Sequence, residues 1–404
     1  MRFPLLLTAF PAFLAVAACA GGDRSQGHIM VDSAGIILVE NRSAQMEQTQ
    51  LRTLSTDPAV EISLQPELTP TPPWITDVAA LPGDRLAILD QESHQVLLFN
   101  HEGELLARFG KEGDGPGEFR ELASLLPLPG DSVGVYDSAS RTLSVFDGQG
   151  NLGRTVSLAE VVQGRFHSFL LPLPAGDMVF FAVSGPGVGF REGVFRASRE
   201  SLRMGPDGEV LSSYGSFPGA EVFGGFDGAG RALFGTTTYA TTVGNRFVVG
   251  TGEATEITLF DTTGAPERIV RWPDHDRTIT ARHEEELFAA ALEAEPAVPR
   301  AVMRDIFDRA PRAALLPPYE DLLGTDDGHV WVGAYRGPRY SLRGQRPPRR
   351  EWLVFDTLGV LAARVETPEG FRPHEVADSR VWGTFTHENG ALSLRAYTLQ
   401  RTGG

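Results

Sequence analysis

The sequence predicts an all-β chain folded as a six-bladed β-propeller, in which N- and C-terminal strands together close the last blade and a short helical insert lies between blades four and five. Three observations predict it. A five-residue corner recurs along the chain, two stretches in its first third repeat without a gap, and the last repeat ends one strand short while the N-terminal region carries one strand too many.

The corner reads FDTTG at 260–264, FDTLG at 355–359, FDGQG at 146–150 and FNHEG at 99–103, and more loosely VDSAG at 31–35 and MGPDG at 204–208. Asp or Asn near the start of such a corner accepts local backbone hydrogen bonds. Gly at its end takes the left-handed conformation that a Cβ would penalise. Each corner is therefore read as a tight turn between two antiparallel strands.

The repeats fix the frame. LPGDRLAILD (81–90) and LPGDSVGVYD (128–137) superpose, and the same register carries Phe99 onto Phe146 and Gly103 onto Gly150. Both segments alternate apolar and polar residues after the LPGD turn, cross a short polar link and alternate again up to the Phe, as a small antiparallel meander does. Gly244–Val249, leading to Phe260 and Gly264, fits this frame without a gap. The units ending at Gly208 and Gly359 fit it with long middle connections, SGPGVGFREG and RGPRYSLRGQRPPRRE, whose Gly, Pro and Arg content suits surface loops.

The unit beginning near Ser379 reaches the C-terminus without its FDxxG corner, whereas VDSAGIILVEN (31–41) has a corner and an outer strand with no inner strands before it. The N-terminal stretch 31–41 is therefore expected to complete the last blade. Closure of this kind removes the open sheet edges that would otherwise template aggregation. A β-sandwich or two smaller β domains would not require one common phase across the chain. Between blades four and five, residues 276–311 abandon the strand pattern. Leu287, Phe288, Ala291 and Leu292 share one helical face, as do Val302, Met303, Ile306 and Phe307, with Pro296 and Pro299 between the two runs.

These units resemble NHL-repeat-type and related bacterial six-bladed propellers, in which a Pro-Gly or Asp-Gly turn, a short strand ending in Asp and an FDxxG corner recur. FGKEGDGPGEF (109–119) is similar to the Gly-rich link between blades in that group. The resemblance spans about residues 29–400, and it implies the fold; the group includes protein-binding modules, lyases and lactonases. The same Gly-rich link is not read as a phosphate loop, because ELASLLPLPG leads into another strand and no helix N-terminus follows to hold a phosphate.

The chain has 404 residues and a formal net charge of -16. Such an acidic surface excludes nucleic acid as a partner, which needs a basic footprint. At the N-terminus Arg2 precedes the apolar run PLLLTAFPAFLAVAA and Cys19, the one cysteine in the sequence. This order reads as a secretory signal over residues 1–18, and Val16-Ala17-Ala18-Cys19 resembles the bacterial lipobox, which implies lipidation of Cys19 and anchorage to a membrane through that lipid. Residues 19–28 form a linker to a propeller over 29–404. The expected location is the cell envelope, periplasmic or outer-membrane. With Cys19 acylated no disulfide is available, so stability must come from core burial and ring closure.

Chemistry is harder to read. No HExxH, GxSxG or EF-hand pattern occurs, and the nine His are scattered. Asp90 and Asp137, repeated at strand ends, are read as caps of the turns that follow them. Propeller enzymes keep their sites at one mouth of the central channel, so polar residues on expected inner strands are the candidates: Asp77 and Asp321, which hold the same blade position, with Glu121, His167 and His374. Convergence of such groups could hold Ca²⁺. The first expectation is a non-catalytic scaffold that binds a protein, peptide or glycan, with loops 184–194 and 336–350 as contacts. The second is a metal-dependent hydrolase or lyase, lactonase-like or amidating-lyase-like, with its site in the channel.

Overall fold

A computed structural model describes residues 27–64, 73–83, 85–184, 193–225, 228–335, 337, 346–377 and 379–400. The strands form six sheets. Blade one runs Ile75–Leu81, Arg85–Asp90, Gln95–Phe99 and Leu105–Phe109, and blade two repeats that order as Leu122–Leu128, Ser132–Asp137, Thr142–Phe146 and Leu152–Ser157. Blade three begins at Arg165–Pro172, blade four at Tyr239–Val243, blade five at Tyr319–Gly324 and blade six at Phe371–Ala377. Each of these first strands lies against the first strand of the next blade, and Phe371–Ala377 lies against Ile75–Leu81, so the six sheets form a ring with their first strands innermost.

The recurring corner is what makes each blade a meander. The Oδ1 of Asp147 accepts from Gln149 and Asn151 N–H, that of Asp261 from Thr263 and Ala265, and that of Asp356 from Leu358 and Val360, all at 2.8–3.0 Å. The closing glycines Gly150, Gly264 and Gly359 have φ of 82°, 92° and 82°. At Gly264 a Cβ would sit 2.2 Å from the Ser213 carbonyl oxygen, so the corner excludes any side chain there twice over.

A single blade cannot bury its own apolar faces. They are buried in the seams between neighbours, one cluster per seam. Leu89, Val96, Phe119 and Phe146 fill the seam of blades one and two, and Tyr136, Leu143, Met178 and Phe180 that of two and three. Phe181, Tyr214, Phe247 and Phe260 fill three and four, and Val248, Val270, Tyr319 and Phe355 four and five. Trp331, Trp352, Phe371 and Tyr397 fill five and six, and Ile62, Trp382, Leu394, Ile88 and Phe99 six and one.

The N-terminal region departs from the sequence-based expectation. His28–Ser33 and Ile36–Asn41 form a hairpin, but Ile36–Asn41 pairs parallel to Pro266–Arg271 at the outer edge of blade four, not with blade six. The strand paired with Leu392–Thr398 is Val60–Ser63. The reason is geometric. The chain after Asn41 passes through the short helix Ser43–Gln48, lays Leu51–Thr53 parallel to Leu361–Thr367 on blade five, and only then reaches blade six. Residues 27–64 thus run as a strap over three consecutive outer edges.

Asn41 fastens the strap. Its Nδ2 donates to the carbonyls of Arg271 on blade four (3.1 Å) and Gly359 on blade five (3.0 Å), and its Oδ1 accepts from Leu361 N–H (2.8 Å). The residue is 3% exposed, so water cannot replace these bonds. Asn41→Ala is expected to destabilise the fold by about 2–4 kcal/mol, because it strands buried backbone groups on two blades. Urea unfolding should show this as a lower midpoint with an unchanged slope.

Candidate functional site

Alternation of strand direction sorts the connections onto two faces of the ring. Turns between first and second strands, and the FDxxG corners between third and fourth, fall on one face. Connections between second and third strands, and the links between blades, fall on the other. Apart from the outer-edge strap of residues 27–64, the large insertions among the described residues belong to the second set. In blade three the hairpin of Gly193–Met204 and Val210–Gly225 runs beyond the last pairing of its inner neighbour, Ser184 with Ser198. Between blades four and five stand two helices, Ala281–Ala294 and Arg300–Arg309.

Thr280 starts the first helix with a capping box: its Oγ1 accepts from His283 N–H, and His283 Nδ1 accepts from Thr280 N–H. Leu287, Phe288 and Ala291 then meet Met303 and Phe307 of the second helix, with the Phe288 and Phe307 rings edge to face at 5.2 Å. Phe234 and Leu316 complete this cluster and tie it to the ring. On the outer side of the second helix Val302 and Ile306, one turn apart, remain 48% and 43% exposed.

At the same mouth the inner strands are irregular. In five of the six blades the pairing of first and second strands slips by one residue near the start of the first strand, leaving Thr76, Ala123, the stretch 167–168, Glu320 and His374 at the slips. Bulges re-aim the side chains beside them. Asp77 and Asp321 both directly follow a slip, and each turns its Oδ1 to the next backbone N–H, of Val78 and Leu322. This common placement is the one that their matching blade position suggested.

Inner strands are sheet edges, and their free backbone groups are met by side chains of the adjoining blade. Asp77 Oδ2 accepts from Leu125 N–H (2.8 Å), Ser124 Oγ from Leu170 N–H (2.9 Å) and Thr241 Oγ1 from Gly324 N–H (3.0 Å), while Thr242 Oγ1 donates to the Pro172 carbonyl (2.7 Å). Asp77 therefore has structural work in holding blade one to blade two. Asp321 accepts from Arg350 at 3.3 Å, and Arg350, itself 5% exposed, also pairs with Glu320 at 2.5 Å.

The remaining sequence candidates separate. His374 is held within its own blade, its Nε2 3.2 Å from Thr384 Oγ1, and burial together with the Arg372 charge drives its ring down to about 3, so it is neutral. Glu121 is exposed, and it is its backbone N–H that is engaged, by Asp137 Oδ1. No hydrogen bond or ion pair among the described residues joins Glu121 to the other candidates. The side chain of His167 lies outside the described residues, as do most of both candidate contact loops and Cys19.

Sequence reasoning missed Glu375, the neighbour of His374. Burial, then the charges of Asp77 and Asp326, push its carboxyl up to about 8, and burial pushes Asp77 up to about 6 against its two backbone hydrogen bonds and Arg372. Glu375 directly follows the slip at His374, as Asp77 follows the slip at Thr76, but it lies deeper in its strand, so matching blade positions did not reveal it. Among the described residues, no group of three or more His, Cys, Asp and Glu is placed to hold a metal. A cavity of about 480 Å³, lined by Arg346, Phe385, His387, Glu388, Asn389 and Arg395, opens at the connection after the second strand of blade six. Its two arginines are already paired, Arg346 with Glu369 and Arg395 with Glu61.

A family model, DUF5128, described as a 6-bladed beta-propeller, matches residues 75–181, which span blades one and two and the start of blade three. No curated protein matches the sequence. Among solved structures, a member of the DUF4221 family from Bacteroides vulgatus superposes with a TM-score of 0.54 at 10% identity, over 86% of this chain and 98% of that one. Virginiamycin B lyase from Staphylococcus aureus gives 0.42 at 10% identity over 84% and 98%. The calcium-binding protein regucalcin from Agrobacterium tumefaciens gives 0.42 at 10% identity over 87% and 96%. The matched family model and the ring of six sheets agree: the chain is a β-propeller. No described helix is long and apolar enough to cross a membrane.

The raised carboxyl of Glu375 sets a pH dependence. The folded chain keeps a proton that the unfolded chain releases near 4.5, so the associated stability is complete at low pH and is lost as pH rises through about 8. Asp77 loses its share earlier, by about 6, and His374 acts in the opposite sense, costing stability as pH falls below 6.5 toward 3. Between roughly pH 6.5 and 8.5 Glu375 is the group of these three that titrates. Over that interval the unfolding free energy of the wild type is expected to fall more steeply than that of Glu375→Gln, as measured by urea titration at each pH.

Proposed function

We propose that this propeller is a lipid-anchored, extracytoplasmic, non-catalytic scaffold that binds a protein, peptide or glycan with its decorated face. In this reading Cys19 carries the lipid that ties the ring to a membrane of the cell envelope, and Val60–Ser63 closes the last blade against Leu392–Thr398. The two helices form an insert between blades four and five that presents a docking surface.

The observation that carries the reading is the asymmetry of the ring. Among the described residues, the extended hairpin and the helices belong to one face, while the corners of the other are tight turns. Additions that served stability alone would have no reason to gather on one side. Val302 and Ile306 support it further, as an exposed apolar pair on a helix whose neighbouring Met303 and Phe307 are already buried.

A hydrolase or lyase with Ca²⁺ in the channel is the second reading, with Asp77 and Glu375 as its carboxyls. It ranks behind, because both groups are held toward the protonated form, the opposite of what a calcium ligand needs. About one calcium per chain after exhaustive dialysis, found by elemental mass spectrometry, would reverse that order.

The scaffold reading is tested by capture of envelope partners with the full chain, whose Cys19 lipid is weighed by intact mass spectrometry in the same preparation. Val302→Asp with Ile306→Asp is expected to reduce capture at least about tenfold while changing stability by no more than about 0.5 kcal/mol for each surface substitution. Undiminished capture would remove the helices from the binding surface.

A further inference from the structure

The seam between blades three and four gathers several polar atoms without partners. Arg199 Nε, Ser201 Oγ, Tyr214 Oη and Thr237 Oγ1 are all buried and accept or donate no hydrogen bond. Such groups are rare in folded chains, and each calls for water, an ion or a ligand.

Arg199 is the charged member. It stands on the third strand of blade three, opposite Val183 on one side and Phe217 on the other, close to the decorated mouth. Its guanidinium lies 5.1 Å from the centroid of the Phe181 ring and 5.9 Å from that of Phe169, an arrangement that fixes the plane of the group and shields one side of it. Ser201, two residues on, points to the same side of the strand. The neighbouring cation is Arg231, at the end of the same sheet, and it adds repulsion where a structural arginine would have a carboxylate.

The contrast with other arginines of this chain is informative. Arg165 pairs with Glu200, Arg203 with Asp177, Arg246 with Glu267, Arg271 with Glu256 and Arg350 with Glu320. Neither Arg199 nor Arg231 has an ion pair or hydrogen bond among the described residues. A half-buried guanidinium that remains charged, with a second one nearby and no counter-charge among the described residues, costs free energy unless an anion completes it.

We propose that Arg199, assisted by Arg231, forms an oxyanion subsite at the decorated mouth between blades three and four, which receives a carboxylate or phosphate group of the bound ligand. Phe181 and Phe169 hold the guanidinium in place from below, and the acidic character of the rest of the chain makes this pair a local exception that an anionic group would find. The inference deepens the scaffold reading by giving the chemistry of one contact, and it rests on the decorated face being the binding face.

The test uses the full chain with inorganic phosphate and acetate as probes, each compared with chloride at equal ionic strength. Binding is read from the rise in thermal unfolding midpoint with probe concentration. At least one probe is expected to bind the wild type, with affinity reduced roughly tenfold to a hundredfold in Arg199→Gln and by a smaller factor in Arg231→Gln. In chloride alone Arg199→Gln is expected to be no less stable than the wild type, since it removes an uncompensated charge. No response of the wild type to either probe, an equal response in Arg199→Gln, or a clear loss of stability of that variant in chloride would overturn the subsite. The scaffold reading fails separately, if the full wild-type chain captures no envelope partner.

Discussion

Each blade is a sheet of four to six strands that cannot cover its own two faces, and the whole structure depends on that constraint. Its apolar side chains are buried only when a neighbour stands on each side, so the six clusters lie between sheets and none lies within one. Stability is then a property of the ring. Removing one seam would expose the faces of two blades, and this explains why the chain commits extra structure to the seams. Asn41 bridges blades four and five, Val60–Ser63 joins Leu392–Thr398, and the polar side chains of the inner strands reach across to the backbone of the next blade.

The same constraint shapes the channel. Inner strands have one edge with no strand beside it, and Asp77, Ser124, Thr241 and Thr242 satisfy backbone groups there. A carboxyl so used is engaged in joining two blades, and burial raises it toward the protonated form. What could pass for a catalytic carboxylate in sequence is, in the folded ring, a buried hydrogen-bond acceptor. Two arginines with no ion pair among the described residues lie elsewhere, Arg199 in the seam of blades three and four and Arg231 at the end of the same sheet.

Much of the repeat was legible because its turns have chemical requirements. An Asp or Asn that caps backbone N–H groups and a Gly with positive φ leave little choice of residue, so Asp147, Asp261 and Asp356 could be found by eye, as could Asp90, whose carboxylate accepts from Trp74 and Glu92 N–H. The N-terminal strap was not legible. Residues 31–41 offered a corner and a strand that matched what blade six lacked, whereas VEIS at 60–63 has only four residues and no corner to mark it. Pairing at an outer edge requires little of a sequence beyond alternation, so the choice between two such strands was settled by the path of the chain.

The site was less legible than the fold, for a related reason. Asp77 and Asp321 repeat at one blade position and could be matched, but the slip at His374 shifts Glu375 out of the apparent frame. Arg199 was unreadable because an arginine on an outer strand is ordinarily paired, and nothing in its sequence neighbours reveals that this one is not. The account's central claim is that partners meet the decorated face. It is tested most directly by photo-crosslinking residues placed at Val194 and Val302 on that face and at Gln149 and Thr263 in the opposite turns, with irradiation in intact cell envelopes. Adducts from the first pair and none from the second are predicted; adducts from the turns alone, or equally from both faces, would contradict it.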